Sequence, residues 1–356
     1  MTNHITLSDN SLDILKNGLV FVPSPLALNE DCKPDEKYQR LLTLYYIISG
    51  AKAVIPGAHT GEFALNDLQI FDRWLRIVKE MTTSYGKEML LMASIGGKDV
   101  LKQAELAAAY GYDLVMVAPT AFTSKSDAEV IDLLSQIVSI IPTFGFELQK
   151  TIPGSREFSS NLWDQIFKIT YGAKGASFDT YRSINMMQAA ANSTRKDNLV
   201  MLTGNDDRIV TDLLATFNFH GNSEESGITY KGGLLGHFAT DTNAVVQWTS
   251  NLINYRKSGV WDFPLSKEEL AHAVNHCNMV LFDALGDFEN SVWGVKYRLS
   301  SLGLLPGPYC AHEKGRKGQD QAIDKIYGNY PSLTDNEFLR DKLDWMKSEV
   351  TLNHGS

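Results

Sequence analysis

The sequence predicts an α/β chain: a (β/α)8, or TIM, barrel with a C-terminal helical extension. Three observations point there. Short apolar runs alternate with longer segments of helical period up to about residue 257. The alternation occurs eight times, the arithmetic of a barrel of about 250 residues. No glycine-rich G-x-G-x-x-G turn follows the first strand, which argues against a doubly wound open sheet. The barrel is expected over residues 1–257 and a helical region over 258–356.

Taken in order, strands are expected at Gly18 to Pro25, Ala53 to Ala58, Glu88 to Ile95, Asp113 to Pro119, Pro142 to Leu148, Ile169 to Ser177, Leu199 to Gly204 and Tyr230 to Phe238. Helical patterns lie between them. In Pro34 to Ser49 the proline suits a first turn, and in Asn66 to Ser84 the asparagine suits a cap. The polar, glycine-flanked stretch His220 to Gly227 reads as a loop before the eighth strand. After residue 257 the strands stop. Ser266 to Gly286 and Glu289 to Gly303 read as helices, a loop rich in Gly, Pro and Lys follows, and a last helix comes after Ser332. Met279, Leu281, Phe282 and Leu285 give that region an apolar face in need of cover, so a homo-oligomer is expected.

Composition narrows the functions. Of 356 residues, 33 are Lys or Arg and 42 are Asp or Glu, a net charge of −9. That balance argues against nucleic acid or an anionic membrane as the main partner. No stretch approaches the roughly 20 apolar residues that cross a bilayer. The first residues carry no basic segment followed by an apolar run, so no secretory signal is expected. Cys32, Cys277 and Cys310 cannot all pair internally, which favours a reducing compartment. A cytoplasmic protein is expected.

In a barrel of this kind the reacting groups stand at the C-terminal ends of the strands. The sixth strand ends in Tyr171-Gly-Ala-Lys-Gly-Ala-Ser177, and with a period of two Gly172, Lys174 and Ala176 share one face. The near absence of side chains beside Lys174 leaves space around its amine. In a partly apolar mouth the ammonium loses hydration, its pKa falls, and the free amine attacks a carbonyl carbon to give a Schiff base. A lysine reaching from a strand end to water is the alternative. The loop after the second strand, Pro56-Gly-Ala-His-Thr-Gly-Glu62, offers successive N–H groups and the Thr60 hydroxyl as a concavity for a carboxylate. Tyr171 and Tyr181 read as packing residues.

Together these segments resemble the dihydrodipicolinate synthase and N-acetylneuraminate lyase family of Schiff-base aldolases and dehydratases. The likeness runs over roughly residues 17–305. Gly18-Leu-Val-Phe-Val-Pro-Ser-Pro25 is similar to the family's first strand, and Ala58-His59-Thr60-Gly61-Glu62 to its Gly-Thr-Thr-Gly-Glu loop. Ala93-Ser-Ile-Gly-Gly97 and Asp113-Leu-Val-Met-Val-Ala-Pro119 are similar to its third and fourth strands. Gly172-Ala-Lys174 resembles the Gly-Ile-Lys that carries the imine, and Leu202-Thr-Gly-Asn-Asp-Asp207 the glycine and aspartates after strand seven. The resemblance implies a small-molecule 2-oxo acid as substrate, Lys174 as the imine residue, no metal or organic cofactor, and a homodimer or homotetramer.

The departures narrow the reading. The family's Tyr-Asn-x-Pro turn is here Phe146-Glu147-Leu148-Gln149, its Pro-Tyr-Tyr is Pro119-Thr120-Ala121, and His59 replaces a threonine. The tyrosine relay is missing, so dihydrodipicolinate synthase itself is not expected. His59 and Glu147 are the candidate acid and base, although period two aims Glu147 at the helix layer if Phe146 points inward. Thr60, Gly61, Phe146, Gly204 and His237 are the expected substrate-binding residues. His272 and His276 have metal-ligand spacing on a helix but read as a plain helix face. The expected activity is a carbon–carbon or carbon–oxygen lyase acting on pyruvate or a 2-keto-3-deoxy sugar acid. The alternatives are a non-catalytic 2-oxo-acid binding protein that has lost the relay, and a metal-dependent barrel hydrolase. The hydrolase reading is disfavoured because no His-x-His follows the first strand of this sequence and no set of carboxylates and histidines ends the other strands.

Overall fold

The computed structural model describes residues 5–354 apart from 63–66, 87, 151, 153 and 220–226. Helix α1 (Asp9–Asn17) leads into β1 (Val20–Pro23), and then strand and helix alternate: α2 (Glu36–Ile48), β2 (Ala53–Ile55), α3 (Leu68–Tyr85), β3 (Met92–Ile95), α4 (Val100–Ala109), β4 (Leu114–Val117), α5 (Asp127–Val138), β5 (Thr143–Leu148), α6 (Ser160–Ile169), β6 (Gly172–Ala176), α7 (Thr180–Asn192), β7 (Val200–Thr203), α8 (Ile209–Leu214), β8 (Gly232–Leu234) and α9 (Thr242–Ser258). Four further helices follow: α10 (Lys267–Leu281), α11 (Ser291–Ser301), α12 (Gln319–Gly328) and α13 (Asn336–His354).

All strand pairs are parallel, in the order β2-β1-β8-β7-β6-β5-β4-β3. The β2–β3 seam is stitched at both ends, by Leu90 N–H to Lys52 O (2.8 Å) and Ser94 N–H to Pro56 O (2.8 Å). Eight parallel strands therefore form a nearly closed barrel. Inward residues such as Phe21, Met92, Met116, Phe144, Phe146 and Leu202 fill its interior, with Leu15 of α1 in the same cluster. A larger apolar layer lies between strands and helices, and it runs on without a break into Leu270, Leu299, Ile323 and Val350 of the C-terminal helices. That region thus shares its core with the barrel.

Local chemistry sets the helix starts. Asp35 accepts from Tyr38 N–H and caps α2, so the helix begins after Pro34 and not at it. Asn66, the expected cap of α3, lies outside the described residues; Asp67 caps it instead, through Gln69 N–H (2.7 Å). Most of the expected loop from His220 also lies outside the described residues. Helices α1 and α12 were not expected from the sequence.

Two buried ion pairs clamp the C-terminal region to the barrel. Arg298 of α11 makes a bidentate pair with Asp241 at 2.9 and 2.6 Å, and Asp241 also accepts from Asp335 N–H at 2.9 Å. Asp335 in turn accepts from the Tyr45 hydroxyl (2.6 Å) and from Ala244 N–H (2.8 Å). In the second clamp Lys296 pairs with Glu62 just after the β2 loop, and Lys296 donates to Tyr309 O (2.8 Å) while Glu62 accepts from Ala311 N–H (2.7 Å).

The apolar face expected to need a partner is covered within the chain. Leu281 is buried in the core, Phe282 is turned into the cavity described below and Met279 packs against the core; Leu285 alone of the four stays open, at 77%. Tyr181, expected to pack, is 82% exposed.

Candidate active site

A cavity of about 70 Å³ opens at the C-terminal ends of the strands. Lys174 projects into it from β6, on the inward face with Gly172 and Ala176. The side chain is 8% exposed, and its amine lies 4.5 Å from the centroid of the Phe146 ring. Gly204 makes room for it: a Cβ there would meet Lys174 Cε at 2.4 Å and Ala176 Cβ at 2.7 Å. Burial pushes the ammonium down to about 8, against the pull of the Asp206 carboxylate, which favours the charged form.

Asp206 is the second polar group of the cavity. It follows β7, and its Oδ1 accepts from His237 N–H at 3.1 Å. Asn278 of α10 fixes this corner from outside the barrel, donating to Asp206 O (2.6 Å) while its Oδ1 meets His237 Nδ1 (2.6 Å). Burial pushes the Asp206 carboxyl up to about 7, with the His237 N–H and the Lys174 charge acting the other way. An amine and a carboxyl whose protonation both change close to neutrality therefore share one cavity.

The expected site residues divide. His59 and Thr60 line the cavity with Lys174 and Gly204. Burial, with the Lys174 charge, pushes the His59 imidazole down to about 4, so it is neutral at pH 7 and not poised to titrate there. Thr60 donates its hydroxyl to Pro23 O at 2.6 Å. The N–H groups of Gly61 and Glu62 are used inside the turn, donating to Ala58 O and His59 O at 2.9 Å each. Gly61 instead packs on Trp74, whose ring a Cβ would meet at 2.4 Å. The expected carboxylate concavity is thus partly occupied by the loop's own bonds.

Phe146 lies beneath the lysine, inside the barrel. Glu147 does not reach the cavity: alternation along β5 turns it outward, where it pairs with Arg182 of α7 at 3.1 Å, and burial pushes its carboxyl up to about 7. The His237 ring is likewise held away, against Asn278 and Trp248, with its pKa down to about 4 through burial. Its backbone N–H serves the site instead. His276 bonds to the Tyr330 hydroxyl (2.9 Å), and among the described residues no group of three His, Cys, Asp or Glu could hold a metal. No described helix is long and apolar enough to cross a membrane.

Sequence reasoning left Asp206 out of the candidate set although it stands in the quoted Thr-Gly-Asn-Asp-Asp run. It also missed the upper wall. Phe178 follows β6, and Phe282, Phe288, Ser291 and Val292 come from the C-terminal region. Phe282 carried only an apolar-face signal, and the others none.

The class these features define is a (β/α)8 barrel with a buried amine at the mouth of its sixth strand. No family model matches the sequence, and no curated protein matches it. Solved structures do. The chain is similar to a dihydrodipicolinate synthase of Acinetobacter baumannii complexed with pyruvate, with a TM-score of 0.69 at 14% identity over 89% of this chain and 99% of that one. It is similar to the N-acetylneuraminate lyase of Fusobacterium nucleatum (0.68, 14%, 88% and 99%) and to a variant 2-keto-3-deoxygluconate aldolase of Sulfolobus solfataricus (0.65, 13%, 88% and 97%). The fold is that of these barrels, in agreement with the resemblance carried by the motifs.

Proposed function

We propose that this chain is a lyase of the class I aldolase type, forming an imine between Lys174 and a 2-oxo acid such as pyruvate. The observation that carries the reading is the buried Lys174 amine, its pKa lowered to about 8 by burial, in one cavity with the carboxyl of Asp206. The free amine adds to the 2-oxo carbon and water leaves. The protonated imine then withdraws electrons, so a proton or a carbon substituent at the neighbouring carbon departs and an enamine forms. Asp206, which shares the cavity, is assigned the role of taking that proton and returning it, since Glu147 is turned away and His59 is too weak a base. The similar A. baumannii structure holds pyruvate, which supports the substrate class.

Borohydride reduction with a panel of 2-oxo acids, followed by mass measurement of the modified peptide, tests this. A stable adduct on Lys174 is expected. An adduct on another lysine, or none with any acid of the panel, refutes it.

A further inference from the structure

The cavity divides by chemistry. Lys174, Asp206 and His59 stand near the strand ends, while the wall beyond them is built from Leu148, Ile152, Phe178, Phe282, Phe288 and Val292. Two of these phenylalanines hold unusual backbone: Phe178 has φ of 53° and Phe288 of 64°, a left-handed conformation that bulky side chains rarely adopt. Their rings meet with centroids 5.7 Å apart and planes tilted by 58°. One comes from the barrel and the other from the C-terminal region, and both are only partly buried, so core packing alone does not account for the strain. Strain of this kind gathers at ligand clamps.

Charge points the same way. Among the described lining residues Lys174 is the one side chain that is cationic near neutrality, since the His59 imidazole is neutral there, and the charge it carries as the protonated imine is lost when the enamine forms. A phosphate or second carboxylate on the other reactant would meet the Asp206 carboxyl without a counter-charge. A polyhydroxy chain needs partners along its length, and beyond the strand-end groups Gln149 and Ser291 are the polar side chains on the wall.

We propose that the second reactant, the carbonyl compound joined to or released from the enamine carbon, is an uncharged aldehyde with an aryl or alkyl chain seated against Phe178 and Phe288. This rests on the imine reading of Lys174. In the forward direction the enamine carbon bonds to the aldehyde carbon, the aldehyde oxygen takes a proton from the Asp206 carboxyl, and water then hydrolyses the imine. In reverse the same bond breaks, the proton returns and the aldehyde leaves.

The test uses the full chain and carbonyl-free probes, so that binding does not depend on the imine. Saturation-transfer NMR is recorded with benzyl alcohol, erythritol and glycerol 3-phosphate on the wild type and on Lys174→Ala. Benzyl alcohol is expected to bind both proteins at least tenfold more tightly than the other two. Phe178→Ser and Phe288→Ser are each expected to weaken it about tenfold, as loss of a half-buried ring contact implies. Equal or tighter binding of erythritol or glycerol 3-phosphate overturns the proposal. So does an unchanged benzyl alcohol affinity in both phenylalanine variants, or no binding of any probe. The wild-type comparison decides the matter even where a variant does not fold. Failure of pyruvate trapping on the wild type, measured alongside, sinks the imine reading and leaves the probe result to judge the seat.

Discussion

At the scale of single residues the site turns on what surrounds one amine. Gly204 leaves the space that Lys174 Cε occupies, so Gly204→Ala must push the amine aside. A displacement of about 1 Å costs on the order of 10²-fold in rate, and the borohydride trapping rate is expected to fall by that order; trapping at the wild-type rate would show that the lysine has another route. Asp206 makes a prediction of defined sign. Its charge favours the ammonium form of Lys174, so Asp206→Asn lowers the lysine pKa further, and the rise of trapping rate with pH, centred near 8 in the wild type, moves to lower pH. Exchange of the pyruvate methyl protons with deuterium, read by NMR, should drop about 10²-fold in the same variant. A lysine profile that stays in place, or exchange that persists, removes Asp206 from the chemistry. His59→Gln should leave the shape of the profile between pH 5 and 8 unchanged, because the imidazole does not titrate there. The inward placement of Lys174 was legible in the strand's period of two, but spacing alone left a lysine reaching to water as the alternative, and it was the likeness of Gly172-Ala-Lys174 to the imine-bearing motif that singled it out. The neutral state of His59 was not legible, because it comes from burial and from a charge supplied by another strand.

At the scale of elements, strand alternation decides which groups meet the cavity. Phe146 and Glu147 are neighbours on β5, yet one lies under the lysine and the other in the helix layer beside Arg182. The sequence already raised this objection to Glu147, and the pleat upheld it. The consequence is thermodynamic. The Glu147 carboxyl is raised to about 7 from an ordinary value near 4.5, so the folded chain binds a proton that the unfolded chain releases over this interval. The resulting stability is present below about pH 4.5 and lost as pH rises through about 7. Glu147→Gln removes the titration, and thermal melts between pH 5 and 8 should show a smaller decline of Tm with pH than in the wild type; parallel curves would contradict this. The strands themselves were legible because eight short apolar runs fall between helical patterns. Their observed spans are shorter than expected, since buried apolar residues such as Leu90 and Tyr230 lie in irregular backbone just outside the ladders.

At the scale of the whole molecule, the C-terminal region is wall and clamp together. The sequence showed that helices follow the barrel but gave no sign of what they cover, because the contacts join residues more than two hundred positions apart, as in Glu62 with Lys296. Arg298→Met leaves the Asp241 carboxylate buried without its partner, and loss of one member of such a pair costs about 3–5 kcal/mol. Chemical denaturation is expected to show that loss, and a change under 1 kcal/mol would mean that the clamp is not anchored there. The α10 face that suggested a partner subunit is largely spent inside the chain.

The order of the parts along the chain has a consequence for synthesis. A ribosome releases β6 and its lysine long before Phe282 to Val292, and Asp335, which secures Asp241, later still. At about 5–20 residues per second the amine of a nascent barrel stays open to water for several seconds. Over that interval the amine keeps the basicity of a solvated lysine, and the wall from Phe282 to Val292 closes over the cavity only when its own segment has emerged.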